Sequence, residues 1–212
     1  EPLRALQDGR QDMGGQMRGN PSMRIYFAGS HGAGKSTLVR WVARRYGLPM
    51  IHEVARAELT KREAELPVLR VDTGLTSEYQ RDVFRGQIAA ERAQTAPFVS
   101  DRCVDNLVYL AQNGNGLREV WESEECRAYV ESLRAPDAIV FLVQPHASRV
   151  SADAHRPAAD ADARVILRID GMVQFLFELA GIHYIPIGSD TVQQRQRQIA
   201  RTLELAGLRS VT

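Results

Sequence analysis

Five short apolar runs punctuate the chain, and helical or polar sequence separates each from the next. Residues 24–28 (RIYFA), 50–52, the core of APFVSDR around 98–101, DAIVFLVQP at 137–145 and HYIPI at 183–187 read as strands. Between them lie amphipathic stretches: a helix from after Gly34 to about Tyr46, SEYQRDVFRGQIAAERAQ at 77–94, CVDNLVYLAQNG, LREVWESEECRAYVESLRA, VILRIDGMVQFLFELAG and a last helix over 190–207. Gly47-Leu-Pro ends the first helix, Ser77 is expected to cap the second, and Pro136 closes LREVWESEECRAYVESLRA, read as one helix. On the 77–94 helix, Tyr79, Val83, Ala90 and Ala93 form one stripe and Arg81, Arg85 and Arg92 the other, with Phe84 and Ile88 off the stripe. The fourth run is almost wholly apolar, as a strand buried on both faces should be. Strands alternating with helices predict an α/β fold: a five-stranded parallel sheet with helices on both faces, in three layers.

Length and composition narrow this picture. The 212 residues suit one domain, expected over 23–212, and residues 1–22, rich in Gly, Gln and Arg, read as a flexible leader. A net charge of +1 gives no global field for nucleic acid or anionic membrane. The chain has 25 arginines and two lysines, so Lys35 stands out against its own usage. Cys103 and Cys126 show no metal-ligand or disulfide pattern and fit a reducing cytoplasm. No apolar run reaches the 18 residues of a membrane span.

The segment after the first strand carries the chemistry. Gly29-Ser30-His31-Gly32-Ala33-Gly34-Lys35-Ser36 fits the phosphate-loop pattern (Walker A) G-x-x-x-x-G-K-[ST] without mismatch, between a strand and a helix as the mechanism requires. Its glycines permit a turn whose N–H groups converge on phosphate oxygens at a helix N-terminus. Lys35 is expected to reach the β- and γ-phosphates of ATP, Ser36 to bind Mg²⁺, and Thr37 to support the α-phosphate end; His31 is expected to point outward. Hence the fold expected is a P-loop NTPase. A guanine-reading N-K-x-D motif is absent, which argues against a signalling GTPase. The short segment after the fourth strand has the layout of a small kinase, not of a ring-forming ATPase. Glu53 and Asp101 follow the carboxyl ends of expected strands, where ligands of open parallel sheets bind.

GSHGAGKST, HEVAR after the second strand and SDRCVDNLVYLA after the third resemble the ATPase/kinase family that includes ribosylnicotinamide kinase domains. More distantly, the chain is similar to deoxynucleoside kinases, over roughly residues 23–205. The resemblance implies Glu53 as the base and Asp101 as the Mg²⁺- or acceptor-orienting carboxylate, with the two roles exchangeable. Arg102 would bind acceptor or transferred phosphoryl, since its guanidinium fork matches phosphate oxygens, and Arg56 would do the same or pair with an acid. Asp105 and Asn106 are placed to line the acceptor pocket. Residues 146–164 are expected to form a lid, with Arg149, Arg156, Arg164 and Arg168 available to it. DAHRPA resembles a D-G-x-R-like element with Ala154 in place of glycine, which singles out Arg156. Trp41 and the apolar positions of 165–178 read as core, and Tyr79 and Phe84 as core or as base-stacking groups.

Three functions are compatible with these residues. The leading one is a Mg²⁺-ATP-dependent kinase of a hydroxyl on a nucleoside-like small molecule. A second is a kinase of hydroxymethylated bases in DNA, as in phage base modification, for which only the arginines at 149–168 and 195–201 could line a basic channel. The third is an ATP-hydrolysing switch or binding module acting through a protein partner.

Overall fold

The computed structural model describes residues 22–51, 73–113, 116–145 and 163–211. Strands β1 (Arg24–Ala28), β2 (Met50–Ile51), β3 (Phe98–Asp101), β4 (Ala138–Val143) and β5 (Ile185–Ile187) form one parallel sheet in the order β2-β3-β1-β4-β5. The helices are α1 (Lys35–Tyr46), α2 (Thr73–Arg92), α3 (Leu107–Asn113), α4 (Leu117–Trp121), α5 (Glu124–Arg134), α6 (Ala163–Ala180) and α7 (Val192–Leu205). A 3₁₀ turn, Val104–Asn106, leads into α3. This is the three-layer α/β/α architecture of the P-loop NTPases.

The period of two along β1 explains why it sits in the middle. Ile25 and Phe27 point into one apolar cluster with α1 and α7, and Tyr26 and Ala28 into another with α2, α3, α5 and α6. Both faces are dry, so a strand with a polar face could not occupy this place. Aromatic pairs seal each side: Phe27 lies 5.0 Å from Phe141 between ring centroids, and Tyr26 meets Phe98 edge-on at 5.8 Å. Burying such a ring contributes about 1.5–3 kcal/mol. Because all strands run the same way, the ends of β1, β3 and β4 open on one edge of the sheet. There β1 leads to α1 on one face, whereas its neighbours β3 and β4 lead to α3 and α6 on the other, which leaves a crevice.

Two local expectations are corrected. The helix expected over 77–94 begins at Thr73, so Ser77 is an interior, buried residue and not its cap. Its buried face is Val83, Phe84, Gln87, Ile88 and Glu91, whereas Ala93 is exposed, because the sheet and α5 both press on it. Phe84 is core, edge-on to Tyr129 at 5.7 Å, and so is not available to stack on a base. The stretch read as one helix over 117–135 is two, α4 and α5. Ser123 starts the second by accepting from the Cys126 N–H and donating to the Val120 carbonyl.

Candidate active site

The loop between β1 and α1 is shaped by its glycines and pinned by neighbours. At Gly29, φ is +131°, and a Cβ there would lie 2.5 Å from the Val143 carbonyl oxygen, so only glycine fits against β4. Its N–H donates to Asp105 Oδ2 at 3.2 Å, while Asp105 Oδ1 accepts from the Cys103 N–H at 2.7 Å. The Lys35 ammonium donates to the carbonyls of Gly29 (2.8 Å) and Ser30 (2.7 Å). From behind, Arg195 on α7 donates through all three nitrogens: Nε to Ser189 O (2.6 Å), Nη1 to Ala33 O (2.9 Å) and Nη2 to Gln144 O (3.0 Å). A single buried guanidinium thus ties the phosphate loop to the ends of β4 and β5.

Beside the loop, Ser36 Oγ donates to Asp101 Oδ2 at 2.5 Å. Arg102, the next residue, has φ +122°, a conformation that costs a side-chain-bearing residue about 1–3 kcal/mol. Its carbonyl is held by the Ser100 hydroxyl at 2.9 Å, and its guanidinium sits 5.5 Å over the Tyr109 ring. Burial works to lower the pKa of Arg102, but Tyr109 and the carboxyls of Asp105 and Asp101 outweigh it, so the guanidinium stays charged. The Tyr109 hydroxyl is hydrogen-bonded to His31 Nδ1 at 3.2 Å.

Deeper on the same side, Ser100 Oγ accepts from Gln87 Nε2 (2.7 Å), which also donates to Glu91 (2.7 Å). Glu91 further accepts from the hydroxyls of Tyr26 (3.0 Å) and Tyr129 (2.6 Å). Burial raises its pKa, and these three donors oppose the rise. The network therefore runs from a buried carboxyl to the strained backbone of Arg102.

Of the residues expected in the site, the structure brings together Gly29 to Ser36 with Asp101 and Arg102. Thr37 is exposed at the start of α1. Glu53, Arg56, Arg149 and Arg156 lie outside the described residues. Arg164 and Arg168 are exposed at the start of α6. His31 turns to Tyr109 and not outward. Asp105 is fully buried and holds Gly29, so it shapes the loop and does not line an acceptor pocket. Arg195 cannot serve a nucleic-acid channel, because it is 3% exposed and its donors are taken by carbonyls. Sequence reading missed the role of Arg195 as a clamp and missed Asp170 altogether.

The residues present fit a Mg²⁺-nucleotide. Space beyond Gly32 and Gly34 is open, since a Cβ on either meets nothing within 4 Å. Ser30 Oγ, fully buried in the loop, has no hydrogen-bond partner. A hydroxyl beside a single carboxylate, Ser36 with Asp101, is the hard oxygen donor set that Mg²⁺ takes when phosphates supply the rest. Among the described residues, no helix is long and apolar enough to cross a membrane.

Several solved structures share this fold. The chain superposes on NadR protein in complex with NR at a TM-score of 0.65, with 16% identity, over 90% of this chain and 53% of that one. It thus spans about half the length of NadR. Shikimate kinase from Acinetobacter baumannii in complex with shikimate matches with a TM-score of 0.54 and 17% identity, over 89% of this chain and 94% of that one. Deoxyadenosine kinase from M. mycoides with bound dATP matches at 0.59 and 16%, over 86% of this chain and 99% of that one. No curated protein sequence gives a significant match. A family model described as an AAA domain matches residues 24–195, from the first strand to the arginine that clamps the phosphate loop. The chain belongs to that AAA domain family, on a fold it shares with the P-loop kinases.

Proposed function

We propose that the protein is a Mg²⁺-ATP-dependent phosphotransferase that moves the γ-phosphoryl group to a hydroxyl of a nucleoside-like acceptor. The observation that carries this reading is the Ser36–Asp101 pair at the mouth of the phosphate loop, with Arg102 next in sequence, its backbone at φ +122° and its guanidinium over Tyr109. A loop built only to hold nucleotide has no need of a strained arginine beside that carboxylate. Kinases of small hydroxyl-bearing acceptors recur among the structures of this fold, which supports the same reaction class.

Phosphoryl transfer asks the protein mainly for positioning and charge. The loop N–H groups and Lys35 hold the triphosphate, Lys35 exchanging its two carbonyl partners for phosphate oxygens. Mg²⁺ supplies neutralisation of the charge that develops on those oxygens, with Ser36 and Asp101 as the residues to hold it. Arg102 leaves its place over Tyr109 to bind phosphoryl oxygens, and Ser100 keeps its backbone aimed. Glu53 takes the proton of the acceptor hydroxyl as its oxygen bonds to the γ-phosphorus, and the bond from that phosphorus to the bridging oxygen of ADP breaks.

The test is γ-phosphate-labelled ATP with Mg²⁺, offered in parallel to ribosylnicotinamide and nucleosides, to nucleoside monophosphates, and to plain or hydroxymethyl-base DNA. Label on a free nucleoside is expected, with Glu53→Gln and Asp101→Asn retaining ATP binding but losing transfer by about 10²–10⁴-fold. Label released only as free phosphate would sink the kinase reading in favour of an ATP-driven switch, and label on DNA alone would move the acceptor to a polymer.

A further inference from the structure

Two buried polar side chains near the phosphate loop have atoms that nothing among the described residues satisfies. Asn106, at the end of the 3₁₀ turn, is 2% exposed, and neither its Oδ1 nor its Nδ2 has a hydrogen-bond partner. Asp170 on α6 is 7% exposed; Oδ2 accepts from Gln174 Nε2 at 2.8 Å, and Oδ1 has no partner. Each buried orphan forfeits hydration without gaining a partner, which works against the fold. Apolar residues at both positions would relieve that cost, so a ligand is the simpler explanation of their chemistry.

Their placement agrees. Asn106 directly follows Asp105, whose carboxylate takes the Gly29 N–H, and the Gly29 carbonyl in turn takes the Lys35 ammonium. Asp170 senses the charge of that same ammonium, which offsets part of the rise that burial gives its pKa. The elements carrying the two residues pack together: Leu107 and Val108 share one apolar cluster with Ile169 and Val173. Both orphans therefore lie at the phosphate end of the sheet, on the layer that holds α3 and α6 and across the sheet from α1 and α7.

We propose that Asn106 and Asp170 form the subsite that binds a vicinal diol of the acceptor, the ribose of a nucleoside or the ring hydroxyls of a cyclic polyol. This inference rests on the phosphotransferase reading for the identity of the ligand as acceptor. Asp170 Oδ1 accepts from one hydroxyl; Asn106 Nδ2 donates to the second, and Asn106 Oδ1 accepts from it. Three orphan atoms are satisfied by two adjacent hydroxyls. A phosphate seated at this point would face the Asp170 carboxylate, so the subsite selects hydroxyls over phosphate oxygens.

Equilibrium dialysis of labelled adenosine, 2′,3′-dideoxyadenosine and shikimate tests this on the full chain, with ATP affinity as the control. Wild type is expected to bind adenosine or shikimate at least tenfold more tightly than dideoxyadenosine, and which of the two binds names the diol's source. Asn106→Ala and Asp170→Asn should each weaken that ligand at least tenfold and leave ATP affinity within twofold. If one variant fails to fold by thermal melting, the other alone decides. Equal binding of adenosine and dideoxyadenosine with no shikimate binding, no binding of any of the three, or diol affinity unchanged in the folded variants would overturn the subsite. Diol binding without transfer of label would overturn the kinase reading and leave the subsite standing.

Discussion

The two sides of the sheet are built on different principles. On the α1 and α7 side, the buried charges are cations, Lys35 and Arg195, and their described partners are main-chain carbonyls. On the α2, α3 and α6 side, the buried polar groups include acids and amides: Glu91, Gln87, Asp105, Asn106 and Asp170. There Gln87 and Glu91 hold one another, Asp105 accepts from two main-chain N–H groups, and Asn106 and Asp170 are left with unpaired atoms. A site made from backbone recognises what every nucleoside triphosphate has in common. One made from side chains can be exchanged residue by residue, which is how a single fold serves many acceptors.

Breaking the backbone-built half should have the largest effect. Lys35→Met removes the cation at nearly constant volume, and transfer is expected to fall by about 10²–10³-fold or more in single-turnover assays while the fold persists. Loss of less than tenfold would mean that the loop does not depend on its lysine. Next comes Arg195→Met, which strips three carbonyls of a charged donor. Urea unfolding should show a loss of about 3 kcal/mol, and ATP should bind about tenfold more weakly with acceptor affinity unchanged. A selective loss of acceptor binding instead would dissolve the division between the two sides.

Much of this was legible in the chain. The strands, the phosphate loop, and Asp101 beside it follow from local pattern, because hydrophobic period and motif spacing are properties of neighbours in sequence. What escaped depends on distant partners. Ser77 reads as a cap until the helix is seen to start at Thr73. Asp105 reads as a pocket residue until Gly29, 76 residues away, is seen to occupy it. Arg195 is a solvent-like arginine on a Gln-rich helix until Ala33, 162 residues away, accepts from it. Asp170 interrupts an apolar helix in a way that carries no local meaning at all.

Smaller effects sharpen the side-chain-built half. Glu91 has a folded pKa raised above its ordinary 4.5, so the native state binds the proton more tightly than the unfolded chain does. Stability from this group is therefore greatest below 4.5 and declines as pH rises through the raised value. Glu91→Gln should destabilise the protein by about 1–3 kcal/mol at acid pH and flatten that decline, as read by urea unfolding over a pH series. A decline of the same slope in the variant would assign it to other groups. Smallest is Ser123→Ala, expected to cost about 1 kcal/mol through the lost cap of α5 and to leave transfer kinetics untouched. A kinetic effect there would show that α5 reaches the site.

The central place of β1 has a consequence for how the protein is made. Both its neighbours come late: β3 lies beyond residue 97, and Arg24 closes on Asp137, 113 residues further along. At a synthesis rate of roughly 5–20 residues per second, the first strand waits about 6–23 s on the ribosome for its second partner. Until β3 is made, Ile25, Tyr26 and Phe27 have no neighbouring strand, and until β4 follows one edge of β1 stays open. The nascent chain thus carries an apolar aromatic strand unpaired until β3 is made and open on one edge until β4 follows, a segment for chaperones to hold in the meantime.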